Sequence, residues 1–271
     1  MNQIKAIGFD LFNTLITAEP GALRDALTRL TGSLAQTGIC PEYEQFKKAH
    51  REAALRFIKR ANKEGKETHN RFWISAALQT LGYYIGPDDP RISRAIDAYF
   101  STFLDFCHPI PGTIEMLERL KGEYRLGLLS NFTHAPAALR IIDHMGLSPF
   151  FDVVLISGQI GYRKPHPSVF RRLVESLCVN GGETLYVGDD PEADINGALR
   201  AGLQPVWFTY ARDRNSLLPP GAVSDQVEIE DDNVPVISTW KELFSLQPLN
   251  HLPTYPLNYT SISEKNQIDI P

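Results

Sequence analysis

Several residues that lie far apart in this chain fall at the same kind of place, just after a short apolar run. Asp10 follows IKAIGF, Ser130 and Asn131 follow LGLL, and Asp189, Asp190 and Asp194 follow TLYVG, while Arg163 and Lys164 sit on a loop after VVLI. An ionised carboxylate beside apolar chain is costly to bury unless a cation or hydrogen-bond donors receive it. Three or four carboxylates at one edge cannot all ionise unaided. A hard divalent cation neutralises them most simply, and Mg²⁺ suits because it binds through one or two carboxylates and leaves positions for water and substrate oxygens. Lys164 adds a fixed positive charge. Ser130, with backbone amides near Asn131 and Asn13, can cradle phosphate oxygens where strand turns into helix. Metal, lysine and amide donors around a carboxylate stabilise charge on a transferring phosphoryl group. Asp10 is then the candidate nucleophile, forming an acyl-phosphate that water hydrolyses.

These residues converge only if the apolar runs are neighbouring parallel strands. Four-to-six-residue apolar runs alternate with amphipathic segments: Arg125–Leu129, Asp152–Ile156, Thr184–Val187 and Gln204–Thr209 read as strands, with helices between them. That alternation predicts a Rossmann-like parallel sheet covered on both faces, in the α/β class. Ligands of such sheets bind outside the carboxyl ends of the strands. Between Ile16 and His108 the period changes. Apolar residues recur every three or four positions, breakers fall at Gly38–Pro41, Gly65 and Gly86–Pro90, and four helices are expected. The expected division is therefore a core of residues 1–16 and 109–246, a helical bundle of residues 17–108 inserted behind the first strand, and an extended tail at 247–271. His108 to Gly112 reads as a return linker, Pro191 to Ala201 as one helix, and Ser238 as the cap of a last short helix.

The composition sets outer limits. At 43% hydrophobic and 22% charged residues the chain has an ordinary globular balance, and its apolar runs are too short to span a bilayer. Met1 leads almost directly into the first strand, so a cytoplasmic protein is expected. A net charge of −5 argues against a nucleic-acid partner, and the basic residues Lys48, Arg51, Arg56, Lys59, Arg60 and Lys63 read as a solvated helix face. Cys40, Cys107 and Cys178 lack paired spacing and read as buried structural thiols. Arg163 reads as surface charge, Phe72 and Trp73 as the core of the helical insert, and Asp190 as the cap of the helix that Pro191 begins.

Four segments together resemble the haloacid dehalogenase superfamily, in the subfamily whose helical cap, of the C1 type, is inserted directly behind the first motif. FDLFNTL (Phe9–Leu15) resembles the first motif and LLSN (Leu128–Asn131) the second. Lys164 in RKPHPSVF resembles the third, and VGDDPEADINGA (Val187–Ala198) the fourth. The resemblance implies Asp10 as nucleophile and Mg²⁺ held by Asp10, the Phe12 carbonyl and Asp189, with Asp194 in or next to the metal shell. It also implies that Ser130, Asn131 and Lys164 hold the phosphoryl group of a small phosphate ester. One position departs from the pattern. The superfamily's phosphatases carry a second aspartate two residues after the nucleophile, as acid on the leaving group; here that position is Phe12. Three readings follow: a phosphatase slowed by that loss, a binding or regulatory protein that kept the site without turnover, and a 2-haloacid dehalogenase, whose leaving halide needs no proton. The family's dehalogenases work without metal and lack an intact acidic fourth motif, whereas Asp189, Asp190 and Asp194 are all present. His134, the histidine nearest these motifs, is the candidate substitute acid.

Overall fold

In the computed structural model, which describes residues 3–214, 227–247 and 249, the run AIGF forms the strand β1 (Ala6–Phe9), buried at every position. Its neighbours are β4 (Arg125–Ser130) and β6 (Thr184–Gly188), both parallel to it, with Phe9 level with Leu128 on one side and Val187 on the other. β5 (Val153–Ile156) extends the sheet beyond β4; β7 (Gln204–Phe208) and the two-residue β8 (Val236–Ile237) extend it beyond β6. All pairings are parallel, in the order β5-β4-β1-β6-β7-β8. The chain leaves β1 toward one half of the sheet and later returns to its other side. That makes the carboxyl end of β1 the switch point where such folds bind ligands.

Helices cover both faces. α8 (Pro167–Ser176) lays Val169, Phe170 and Leu173 against Ala6, Leu129 and Tyr186. On the opposite face Phe9, Leu128, Val187 and Phe208 pack with α5 (Thr113–Leu120), α6 (Ala135–His144) and Trp240 of α11 (Trp240–Leu243). Trp240 stacks on Phe208 at 4.2 Å between ring centroids and donates its indole N–H to Thr113 Oγ1 at 2.9 Å. Full burial of each such side chain contributes about 1.5–3 kcal/mol.

Behind β1 the chain forms a short strand β2 (Ile16–Ala18) and then four helices: α1 (Ala22–Ala35), α2 (Tyr43–Glu64), α3 (Arg71–Thr80) and α4 (Pro90–Phe106). Their limits follow local chemistry. Glu42 accepts from the amides of Glu44 and Gln45 at the start of α2, and Gly65, at φ +67°, ends it. Asp89 caps α4, with Pro90 in its first turn. The expected return linker is in part a strand: β3 (Cys107–Pro109) pairs antiparallel with β2, so both connections to the helical insert run side by side. The last helix starts one residue later than expected, with Thr239 at its N-cap, while Ser238 donates its amide to Glu242. Of the three thiols only Cys107 is buried; Cys40 and Cys178 are exposed, so the expectation of three buried cysteines fails for two. The basic residues of α2 named above are all exposed. The expected tail, apart from residues 247 and 249, lies outside the described residues. No helix among the described residues is long and apolar enough to cross a membrane.

Candidate active site

Asp10 is the first residue past β1, and its amide donates to the Val187 carbonyl at 2.9 Å, continuing the strand ladder by one step. The residue is 7% exposed. On one side β4 delivers Ser130, also buried; on the other β6 ends in Gly188 and delivers Asp189. The next turn is not the expected α-helix. Residues Pro191–Asn196 form a π-helical turn capped by the Asp190 carboxylate, followed by the short α9 (Gly197–Arg200). Asp194, buried, lies within the wide turn and reaches back over the strand end, its Oδ2 accepting from the Asp190 amide at 3.0 Å. Gly188 is required there: a Cβ at this position would stand 2.3 Å from Asp194 Cγ. Single π-turns inside helices occur often at functional sites, and this one aims a carboxylate.

Lys164, 2% exposed, completes the cluster. Its ammonium donates to Asp10 Oδ1 at 2.5 Å, to Asp194 Oδ1 at 2.6 Å and to the Tyr186 hydroxyl at 3.0 Å. Burial alone would depress the lysine pKa; the Asp10 and Asp194 carboxylates more than offset that and raise it well above its usual value, so the ammonium stays charged. Burial, with Asp194 alongside, pushes Asp10 up to about 7 despite the pull of Lys164. Burial, then the charges of Asp10 and Asp194, raise Asp189 far above the carboxylate range. Carboxylate oxygens of Asp10, Asp189 and Asp194 lie within 4.8 Å of one another. One lysine cannot neutralise three carboxylates. An all-oxygen donor set of excess negative charge fits a hard divalent cation.

The Asn131 side chain is engaged by the loop that carries Lys164. Its amide group is used on both ends by the Lys164 backbone: Nδ2 donates to the Lys164 carbonyl at 2.9 Å, and Oδ1 accepts the Lys164 amide at 2.8 Å. It braces the lysine loop. Arg163 is not a surface charge. Its guanidinium pairs at 3.2 Å with Glu67 of the insert, whose side chain is only 3% exposed. Glu67 also accepts from Ser157 Oγ at 2.5 Å, and Ser157 receives the Phe132 amide at 2.8 Å. The insert is thereby tied to the loops that follow β4 and β5. Neither Glu67 nor Ser157 stands in a motif, so no local pattern points to them; Tyr186 could have been found from its inward register two residues before Gly188.

A cavity of about 570 Å³ lies against this cluster. Asp10, Phe12, Ser130, Lys164, Asp189 and Asp194 line its sheet side; Trp73, Tyr99, Phe100 and Phe103 line it from the insert. Trp73 therefore faces the site, where core packing was expected. Phe12 is held beside Asp10 by a tight turn in which Asn13 adopts φ +61° and donates its amide to the Ile16 carbonyl at 2.7 Å. The Phe12 ring stacks on Phe132 (5.7 Å) and meets Phe103 edge-on (6.0 Å). His134 does not take the place of an acid: its ring accepts from the Ala137 amide at the start of α6, stacks on Phe100, and has its pKa lowered by burial.

The family model for haloacid dehalogenase-like hydrolases matches residues 4–202. The chain is 33% identical over 128 residues to the glyceraldehyde 3-phosphate phosphatase of Pyrococcus abyssi, spanning 46% of this chain and about half, 53%, of that relative. It is 31% identical over 230 residues to the phosphoglycolate phosphatase of Rhodospirillum rubrum, spanning 81% of this chain and 86% of the relative. Among solved structures, a 2-haloacid dehalogenase from Pseudomonas syringae superposes with a TM-score of 0.61 at 22% identity, over 90% of this chain and 97% of the other, a likeness of fold. The match to the family model over most of the chain, with a parallel sheet that ends in the acid and lysine cluster, makes this protein a haloacid dehalogenase-like hydrolase.

Proposed function

We propose that this protein is a Mg²⁺-dependent phosphatase of small phosphate monoesters, working through an aspartyl-phosphate on Asp10. The single observation that carries this reading is the placement of Asp10. It stands at the switch point of a parallel sheet, one oxygen on the Lys164 ammonium, with oxygens of two further carboxylates within 4.8 Å. Asp10, Asp189 and Asp194 would hold Mg²⁺, with the Phe12 carbonyl as a further oxygen donor. Bound there, the ion would keep Asp10 ionised and offset charge on the phosphoryl oxygens. Lys164 holds Asp10 in one orientation, and Ser130 at the end of β4 faces the same cavity as a hydroxyl donor to the phosphoryl group. Asp10 attacks phosphorus, the ester oxygen leaves with the bonding pair, and water later cleaves the acyl-phosphate, restoring Asp10 and releasing phosphate. The helical insert acts as a cap over this site. Relatives named as phosphatases support the choice of reaction.

The first step lacks an acid. Phe12 cannot protonate the leaving oxygen, and a positioned acid contributes about 10²–10⁴-fold. The reaction therefore favours esters of acidic alcohols. The dehalogenase reading shares Asp10 but gives no role to the Asp189 and Asp194 cluster; a binding protein without turnover keeps the cluster and loses the chemistry. A panel of aryl and alkyl phosphates, run with Mg²⁺ and with chelator on wild type and Asp10→Asn, separates them. The expected result is metal-dependent phosphate release from aryl esters by the wild type alone. Halide release from a 2-haloacid in the presence of chelator, or metal binding without phosphate release from any ester, refutes the proposal.

A further inference from the structure

The cavity wall that faces the carboxylates comes from the helical insert, and among the described residues this wall carries no Lys, Arg, Asp or Glu. Its imidazole, His50, is kept neutral by burial, which pulls its pKa down to about 4. Of the guanidiniums that reach the cavity from the sheet side, Arg163 is paired with Glu67. A carboxylate or a second phosphate on the substrate would lose its hydration against this wall with no opposite charge from the insert.

Two polar groups on this wall are buried without a hydrogen-bond partner. Asn70 sits at the N-cap position of α3, where an asparagine side chain normally accepts an amide of the first turn. Here it makes no capping bond. The His69 ring does that work, its Nδ1 accepting from the Arg71 amide at 3.1 Å. Asn70 is 3% exposed and lines the cavity, and its Oδ1 has no hydrogen-bond partner. Trp73, three residues on and so on the same side of the helix, also lines the cavity, and its buried indole N–H is likewise unpartnered. A buried acceptor and a buried donor on one helix face are costly while unmade. An occupant presenting the complementary pair removes that cost.

We propose that Asn70 and Trp73 form the subsite that selects the alcohol carried on the phosphate. Its occupant is an uncharged, flat, amide- or lactam-bearing group that donates to Asn70 Oδ1 and accepts from Trp73 Nε1, with the Phe12, Phe100 and Phe132 rings as its walls. The flatness follows from those rings, which favour stacked or edge-on contact. The assignment rests on the phosphatase reading for what lies at the other end of the substrate, and not on turnover itself.

Binding to the Asp10→Asn protein with Mg²⁺, measured by calorimetry, tests it without catalysis. The probes are phenyl phosphate, para-carbamoylphenyl phosphate and para-carboxyphenyl phosphate. The carbamoyl ester should bind about tenfold or more tightly than the carboxy ester, the scale of one buried polar mismatch. Adding Trp73→Phe should cut the advantage of the carbamoyl ester over phenyl phosphate by about tenfold. Adding Asn70→Asp should create a preference for para-(aminomethyl)phenyl phosphate, a gain that a misfolded variant cannot produce. Equal binding of the carbamoyl and carboxy esters, equal weakening of all esters in both variants, or no binding of any of them overturns the subsite. If the binding order holds while the wild type releases no phosphate from phenyl phosphate, the phosphatase reading falls and the subsite stands.

Discussion

Replacing Phe12 with aspartate should raise the rate on alkyl phosphates relative to that on activated aryl phosphates. The Phe12 side chain opens onto the cavity that Asp10 faces, and its ring leans on Phe103 at 6.0 Å and Phe132 at 5.7 Å. Phe12→Asp gives up those two ring contacts, each about 0.5–1.5 kcal/mol, and leaves space beside Asp10 for a carboxyl group and water. Because Phe12 is only partly buried, the whole cost is about 2–3 kcal/mol, below the full penalty of emptying an aromatic site. A domain stable by roughly 5–15 kcal/mol survives it. Phe103 and Phe132 beside the new carboxyl favour its protonated form, as an acid requires. A general acid is worth about 10²–10⁴-fold, or about 3–5 kcal/mol of barrier, when the leaving group is a poor one. The assay is Mg²⁺-dependent phosphate release from an alkyl and an activated aryl ester, compared as kcat/KM. The alkyl-to-aryl ratio should rise by about 10²-fold, with a melting midpoint lowered by several degrees. A variant that stays folded and gains nothing on the alkyl ester refutes the reasoning that the missing acid limits this site.

Two further perturbations probe the cluster and the insert. Lys164→Met leaves Asp10 and Asp194 facing each other without their shared ammonium; breaking a buried ion pair costs about 3–5 kcal/mol, so the melting midpoint should fall by roughly 10 °C and turnover should be lost, whereas an unchanged midpoint would contradict the cluster's energetics. His50, beside Phe46 and Tyr99, is pulled from 6.5 to about 4 by burial. Its unfolded form takes up a proton first as the pH falls, so stability rises with pH between those two values and is flat above them. Between pH 7.5 and 4.5 the wild type should lose about 2–3 kcal/mol more than His50→Phe in denaturant titrations, and equal losses would show that His50 is not buried as a neutral ring.

The sheet side of the site was legible because its residues sit next to apolar runs that name their own strands. Asp10, Ser130 and Asp189 follow such runs directly, Lys164 stands on the loop beyond another, and the parallel topology brings them together. Asp194 was legible as a member of the cluster but not for the reason it reaches it: an α-helix was expected from Pro191, and only the π-turn aims its carboxylate back over Gly188. Asn131 was correctly placed at the edge, but its side chain serves Lys164. The insert was legible as four helices and illegible as a wall. Helical period distinguishes a buried stripe from a wet one, and a cavity face and a core face are both apolar; Trp73 was assigned to the wrong one for that reason. Glu67, Ser157 and Arg163 meet across sequence separations that no local pattern records.

The measurement that bears most directly on the account is chemical trapping at Asp10. Wild-type protein turning over an aryl phosphate with Mg²⁺ is quenched with borohydride, which reduces an acyl-phosphate to the alcohol, and the peptide containing residue 10 is read by mass spectrometry. The account predicts reduction of Asp10 to homoserine that depends on both the ester and the metal. Phosphate release with Asp10 unmodified, or trapping that persists in chelator, would contradict it.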